Sequence, residues 1–418
     1  MTINPLNTKD SLINANAQLA HLREHNAALV LNVVARHGPV TQRKTSKICG
    51  LSFTSVVSIV SHLEKNGIII KSNVVSSGAG RPAAMYQFDP SYRYVVGCEM
   101  QHDRIRLILA DFNGQIRAQK TLPFDKNVGK EAVLSLLVHS IEDLITDNKM
   151  EFKKIYGLGI GIGGLIHQEN ESVEFLSHLP NWGNLSLKKV LQEKLHLRTS
   201  IENNSASAAL GELRFGAAYG KKNFLFVNIK SGIGMGIVLN GELYRGTTGT
   251  SGEFGHITVD DHGPVCICGN VGCLETFASV SALINNAKRF VAQGIISVIK
   301  DLTDGDPNKI SFDVILKAAR QGDKLAYKLF IDAGRYLGEG MVSLVNLFNP
   351  ELIVIGGEFA RTEAYTSGAI TDVIKRQALG IPRRAVQVIF SKLGKNASAL
   401  GATVTLMDEF FTNPLRSC

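Results

Sequence analysis

The spacing of apolar residues changes along this chain, and the change divides it into a helical start and an alternating remainder. From Asn26 to Arg36, Ala28, Leu29, Val30, Leu31, Val33 and Val34 form a broad apolar face that predicts a helix, which His37-Gly38-Pro39 stops. Thr41 is a good N-cap for a second short helix through Ile48, and Gly50 breaks it. Ser52 or Thr54 can cap a third helix to Lys65, with Val56, Ile59, Val60 and Leu63 on its inner side. Ile68 to Val75 and Met85 to Phe88 read as two short strands around a Gly/Ser-rich tip, Ser76 to Pro82. Helix, helix, short turn, helix and hairpin is the order of a winged helix-turn-helix, whose third helix enters the DNA major groove. Residues 1–25 show little pattern and read as an N-terminal arm.

From Tyr92 onward strands and helices alternate. Tyr94 to Glu99 and Arg104 to Asp111 read as paired strands, with a turn at Phe112-Asn113-Gly114-Gln115 leading to a third. Lys130 to Asp147 is an amphipathic helix, and Ile155 to Ile162 an apolar strand ending in glycines. The logic then repeats, with a strand at Asn223 to Ile229, a hairpin at Gly236 to Leu243 and a strand at Leu352 to Ile355. Strand triplets followed by helix–strand alternation, twice over, predict an α/β body of two lobes around a cleft. The expected division is an arm over 1–25, a winged helix over 26–90, a first lobe over 91–198 completed by the C-terminal helix 396–412, and a second lobe over 199–395.

A chain of 418 residues, 44% hydrophobic, can bury a core for two or three domains. No apolar run reaches bilayer length, and the polar N-terminus lacks a secretory pattern, so a cytoplasmic protein is expected. Charge is unevenly spread. Residues 1–90 hold nine Lys and Arg against four Asp and Glu, which is +5 of a total of +8. A basic first fifth points to a polyanion contact there. Thr54, Ser55 and Ser58 on the third helix can approach bases or phosphates, Lys44 and Lys47 on the second face phosphates, and Arg81 in Gly-Arg-Pro suits a narrow minor groove. The alternative is a small helical interaction domain with solvated lysines.

The densest chemistry lies near the middle, in Glu253-Phe254-Gly255-His256 followed by Cys266-Ile267-Cys268-Gly269-Asn270-Val271-Gly272-Cys273-Leu274-Glu275. Three thiols and one imidazole within eighteen residues are the Cys₃His set preferred by structural Zn²⁺, on His256, Cys266, Cys268 and Cys273. Glu253 and Glu275, at either end, are then free for a polar small molecule. The other cysteines, Cys49, Cys98 and Cys418, are scattered, which is metal usage rather than a disulfide framework.

Gly-Glu-Phe-Gly-His followed by Cys-x-Cys-Gly-x-x-Gly-Cys-Leu-Glu resembles the signature of the ROK family (repressors, ORFs and sugar kinases), and the resemblance covers essentially the whole chain. With its N-terminal winged helix the chain is similar to NagC/XylR-type sugar-responsive repressors, and its body resembles a ROK sugar-kinase module of actin-like ATPase fold. The resemblance implies zinc on the four residues above. It also implies a sugar held between the lobes by Asn203, Asn204, Glu253, His256 and Glu275, with Asn181 as a further contact beside Trp182.

Two departures bear on catalysis. Family kinases carry Glu-Asn-Asp, whose aspartate takes the proton from the attacking sugar hydroxyl; here the run is Glu202-Asn203-Asn204. An amide is no general base at neutral pH. Kinases also open the body with Gly-x-Asp-x-Gly-Gly-Thr, whereas this chain has Gly97-Cys98-Glu99-Met100-Gln101-His102-Asp103, which sets Asp103 where phosphates would sit. The expectation is a non-enzymatic repressor of sugar uptake or catabolism genes. It would work as a homodimer or higher homo-oligomer on operator DNA, with a sugar or sugar phosphate setting its affinity. The alternative is a ROK sugar kinase with a DNA-binding appendage, and an activator of transcription is a third reading.

Overall fold

A computed structural model describes residues 6–72, 83–101, 103–125, 128–167, 172–175 and 186–417. Arg81, Asn181, Trp182 and His102 lie outside the described residues.

The first helix runs Leu6–His37, so the helix expected from Asn26 begins twenty residues earlier and takes in most of the expected arm. Thr41 caps the second helix, Gln42–Cys49, by accepting from the Lys44 N–H, and Gly50 ends it in the left-handed conformation at φ 70°. Ser52, rather than Thr54, caps the third helix, Phe53–Lys65, through the Ser55 N–H. Strands β1 (Val40–Thr41), β2 (Ile69–Ser72) and β3 (Met85–Phe88) form a small sheet in the order β1-β3-β2. Three helices with a small sheet in this order fit a helix-turn-helix.

The body holds two sheets of the same design. In the first, β4 (Tyr94–Met100), β5 (Arg104–Asp111) and β6 (Ile116–Pro123) form an antiparallel triplet, and β7 (Ile155–Ile162) and, beyond the hairpin β8 (Leu165–His167) and β9 (Ser172–Phe175), β10 (Arg198–Asn203) extend it in parallel. In the second, β11 (Phe224–Ile229), β12 (Ile233–Leu239) and β13 (Glu242–Tyr244) form the triplet, extended in parallel by β14 (Leu352–Gly357) and β15 (Gln387–Phe390). Each lobe therefore reads triplet plus two parallel strands, and the inner parallel strands β7 and β14 are apolar because both of their faces are covered. The second lobe also contains a 25-residue helix, Lys324–Phe348, buried along one face.

Helix Asn204–Phe215 leads from the first lobe into the second and crosses helix Ala397–Ala402 near the centre of the molecule. The crossing is tight: a Cβ on Gly401 would lie 1.6 Å from the Ser207 carbonyl oxygen. The C-terminal segment folds as a short turn and two helices, Ala397–Ala402 and Val404–Thr412. The last of these joins the N-terminal helices and sheet, the head, to the body. Phe410 and Phe411 pack with Phe88 of the head and with Phe112 of the first lobe, their rings 4.8–6.2 Å apart. Val30, Leu31, Val56, Leu63 and Ile69 of the head share one core with Val95, Tyr156 and Met407. The Asn32 Nδ2–H donates to the Phe411 carbonyl at 3.1 Å, and Glu24 accepts from the Leu415 N–H at 2.9 Å. The head is thus seated on the body, because burying aromatic surface across the junction outweighs leaving it in water.

Candidate functional site

The cysteine-rich segment folds into a compact knot. Short bridges pair Thr258 with Cys273 and Val265 with Val271. Gly272, at φ 72°, passes so close to Asp260 that a Cβ would lie 1.5 Å from its carbonyl oxygen, so only glycine fits there. The ligand atoms of His256, Cys266, Cys268 and Cys273 all lie within 4.8 Å of one another. Cys266 Sγ is 3.6 Å from His256 Nδ1, and Cys268 Sγ is 3.7 Å from Cys273 Sγ. Burial pushes the Cys273 thiol up to about 12 and raises Cys266, while the Asn270 backbone N–H lowers Cys268 to about 7. Thiols held this close, two of them resisting ionisation, suit a cation that stabilises the thiolate form.

The knot faces a cleft of about 1080 Å³ between the lobes. Carboxyl ends of parallel strands supply its walls: Met100, Ile162 and Asn203 from the first lobe, Gly357 and Ser391 from the second. His256 sits between metal set and cleft, with Nδ1 toward Cys266 and Nε2 3.8 Å from Glu253 Oε2. Glu275 accepts the Ile233 N–H through Oε2 at 2.9 Å. Partial burial raises the pKa of Glu253, Glu275 adds to the rise and His256 opposes it. Glu253, His256, Glu275, Asn203 and Asn204 are therefore brought to one cleft.

The two asparagines are bonded through both polar atoms of their side-chain amides. Asn203 caps helix Asn204–Phe215 through Oδ1, 2.8 Å from the Ser205 N, and donates from Nδ2 to the Gly164 carbonyl at 3.2 Å. Asn204 donates to the Met100 carbonyl at 3.2 Å and accepts from the Ser398 hydroxyl at 2.9 Å. The position that would hold a base is thereby tied into the scaffold.

The far end of the cleft holds residues that sequence reasoning missed. Glu99, fully buried, is gripped by Lys230 from the second lobe and by Arg106 Nη1 at 2.9 Å, and Gln101 donates to it at 2.9 Å. Asp103, expected to be the obstructing negative charge, instead forms a bidentate pair with Arg104 at 2.9 and 2.7 Å. The buried carboxylate is Glu99, and it brings its own cations. A second interlobe pair joins Glu202 to Arg245 at 3.0 and 2.7 Å. The only signals in the sequence were the positions of Lys230 before Ser231-Gly232 and of Arg245 before Gly246, and neither reveals a partner 131 or 43 residues away.

On the head, Lys44, Lys47, Thr54, Ser55 and Ser58 are all exposed. Thr54 and Ser55 hydroxyls bond to Ser52 Oγ at 3.0 and 2.8 Å, which orients the first turn of the third helix.

Residues 95–409 match the ROK family model, and the chain belongs to the ROK family. It is 30% identical over 394 residues to the xylose repressor of Bacillus spizizenii, covering 94% of this chain and 98% of that protein. It is 28% identical to the DNA-binding transcriptional dual regulator NagC of Escherichia coli, covering 91% and 92%. A crystal structure of a ROK family transcriptional regulator, a homologue of the E. coli MLC protein, superposes with a TM-score of 0.81 at 27% identity, over 94% of this chain and 98% of the other. A ROK family glucokinase from Streptomyces griseus, in complex with glucose and AMPPNP, matches with a TM-score of 0.68 at 28% identity, over 74% of this chain and 97% of that one. The xylose repressor, NagC and the MLC homologue, each matched over more than nine-tenths of this chain, are named as regulators of transcription. Among the described residues no single helix is long and apolar enough to cross a membrane.

Proposed function

We propose that this chain represses sugar uptake or catabolism genes as a cytoplasmic homodimer on operator DNA, and that a sugar or sugar phosphate bound between its lobes weakens that grip. One observation carries the reading: the cleft that gathers Glu253, His256 and Glu275 belongs to the same packed body on which the winged head is seated through Phe410 and Phe411. Carboxylates and imidazole exchange hydrogen bonds with vicinal hydroxyls, and a buried group left unpaired by the wrong epimer is costly. Zn²⁺ on His256, Cys266, Cys268 and Cys273 would hold His256 and the Glu253–Glu275 frame in place; its contribution is structural. On the DNA side Thr54, Ser55 and Ser58 meet the major groove, Lys44 and Lys47 the phosphates, and Arg81 the minor groove. Asn181 adds a sugar contact.

The glucokinase likeness favours a kinase as the second reading. Against it stand Asn204, an amide committed at both ends, and the Lys230–Glu99–Arg106 cluster that fills the phosphate end with the protein's own charges. Repression needs only about 1–3 kcal/mol of differential affinity between ligand-bound and free states. Fluorescence anisotropy on a duplex the protein selects from a random pool tests it. Release of that duplex by a mono- or amino-sugar, free or phosphorylated, is expected. Selection of no duplex, or indifference to every sugar, would refute it.

A further inference from the structure

Beyond Asn203 and Glu253 the cleft continues into a small cavity of about 20 Å³, bounded by Glu202, Tyr244, Arg245, Thr250 and Ser251. Asn203 and Glu253 line both spaces, so the smaller one opens beside the residues assigned to the effector. A space of this size holds about one water-sized group.

Its wall is built from both lobes. Glu202 Oε2 accepts from Arg245 Nε at 3.0 Å and Nη2 at 2.7 Å, and Glu202 Oε1 accepts from the Asn203 N–H at 3.0 Å. One carboxylate therefore orients both the guanidinium and the residue beside it. The Arg245 carbonyl accepts from the Ser251 N–H at 3.2 Å, and the Ser251 hydroxyl donates to the Tyr244 carbonyl at 2.7 Å, which pins the loop that closes the cavity. Among the described residues Arg245 Nη1 has no protein acceptor, so its N–H groups remain to meet an oxygen.

We propose that Arg245, positioned by Glu202, determines specificity at the effector site. It donates to a hydroxyl of an unsubstituted sugar and leaves no room for an acetamido group, whose nitrogen, carbonyl and methyl need several times the space. The assignment rests on the sugar-effector reading above. It narrows the effector class to neutral or phosphorylated aldoses without N-acetylation.

Calorimetric titration of the full chain with D-xylose, D-glucose and N-acetyl-D-glucosamine, the two hexoses also as 6-phosphates, tests it. Within each matched pair the unsubstituted sugar binds at least about 100-fold more tightly. Arg245→Ala opens the cavity and narrows that ratio to below about 10-fold. Arg245→Met keeps the bulk and loses the donors, so exclusion persists while the unsubstituted sugar weakens by about 10-fold; if the alanine variant does not fold, this comparison decides. Equal affinity of wild type for both members of a pair, or an unchanged ratio in folded Arg245→Ala, overturns the assignment and leaves the sugar-effector reading standing. No heat from any sugar removes that reading and this assignment with it.

Discussion

Replacing Asn204 by aspartate is the most direct challenge to the view that this cleft binds without transforming. The substitution restores the carboxylate of family kinases and changes one atom. Asn204 donates to the Met100 carbonyl over 3.2 Å and accepts the Ser398 hydroxyl over 2.9 Å. An ionised aspartate would set an oxygen against the Met100 oxygen. Losing that half-buried donor costs about 1–3 kcal/mol, which lowers Tm by a few degrees at roughly 2 °C per kcal/mol. A protonated aspartic acid would restore the donated bond and would have no capacity to accept a proton. Only the ionised form could accept a proton from a sugar hydroxyl, and it is the form that the Met100 carbonyl disfavours. The Glu99–Lys230–Arg106 cluster still fills the phosphate end. We expect Asn204→Asp to be slightly less stable by differential scanning fluorimetry, and a coupled ADP-release assay on a hexose panel to stay far below one turnover per second, the low end of typical enzymes. Turnover at or above that rate would refute the reasoning, because a single amide would then be all that separates this body from a kinase.

Three further outcomes are expected. Cys268 is the exposed member of the metal set, so Cys268→Ser disturbs little packing; metal per chain, measured by plasma mass spectrometry, should fall from one zinc to near zero with a lower Tm, and retention of zinc would exclude the Cys₃His assignment. Lys230→Met leaves buried Glu99 with Arg106 as its remaining cation, costing up to about 3 kcal/mol in chemical denaturation, and the loss in Glu99→Gln/Lys230→Met should fall short of the sum of the two single losses; additive losses would show that the pair is not coupled. Burial raises the pKa of Glu212, with the Ser391 hydroxyl and Ala217 N–H opposing. A raised folded pKa stabilises below the ordinary carboxyl value, and that contribution disappears as pH rises through the folded value. Glu212→Gln should therefore gain on wild type in Tm between about pH 4.5 and neutrality, and parallel curves would count against the raised pKa.

Much of the fold was legible because its signals are local. The Thr41 cap, the Gly50 break, the helix Lys130–Asp147 and the strand Ile155–Ile162 need only their own residues and neighbours a few positions away. The start of the first helix was not, because residues 6–25 lack a clear apolar stripe, and much of what the helix packs on, such as Phe411 and Leu415, lies nearly four hundred positions away. The cysteine cluster was the strongest site signal for the same local reason: its four donors fall within eighteen residues, and tight glycine turns bring them together.

The chain by itself determined the helices of the N-terminal region, the doubled α/β body and the Cys/His cluster, since each is written as short-range spacing. Tertiary structure alone decided that Asn204 is tied to Met100 and Ser398, that Glu99 rather than Asp103 is the buried charge, and that Glu202 and Arg245 pair between the lobes. The physical reason is distance along the chain. A charge buried away from water must find its counter-ion wherever folding brings one, and sequence order places no limit on which residue that will be.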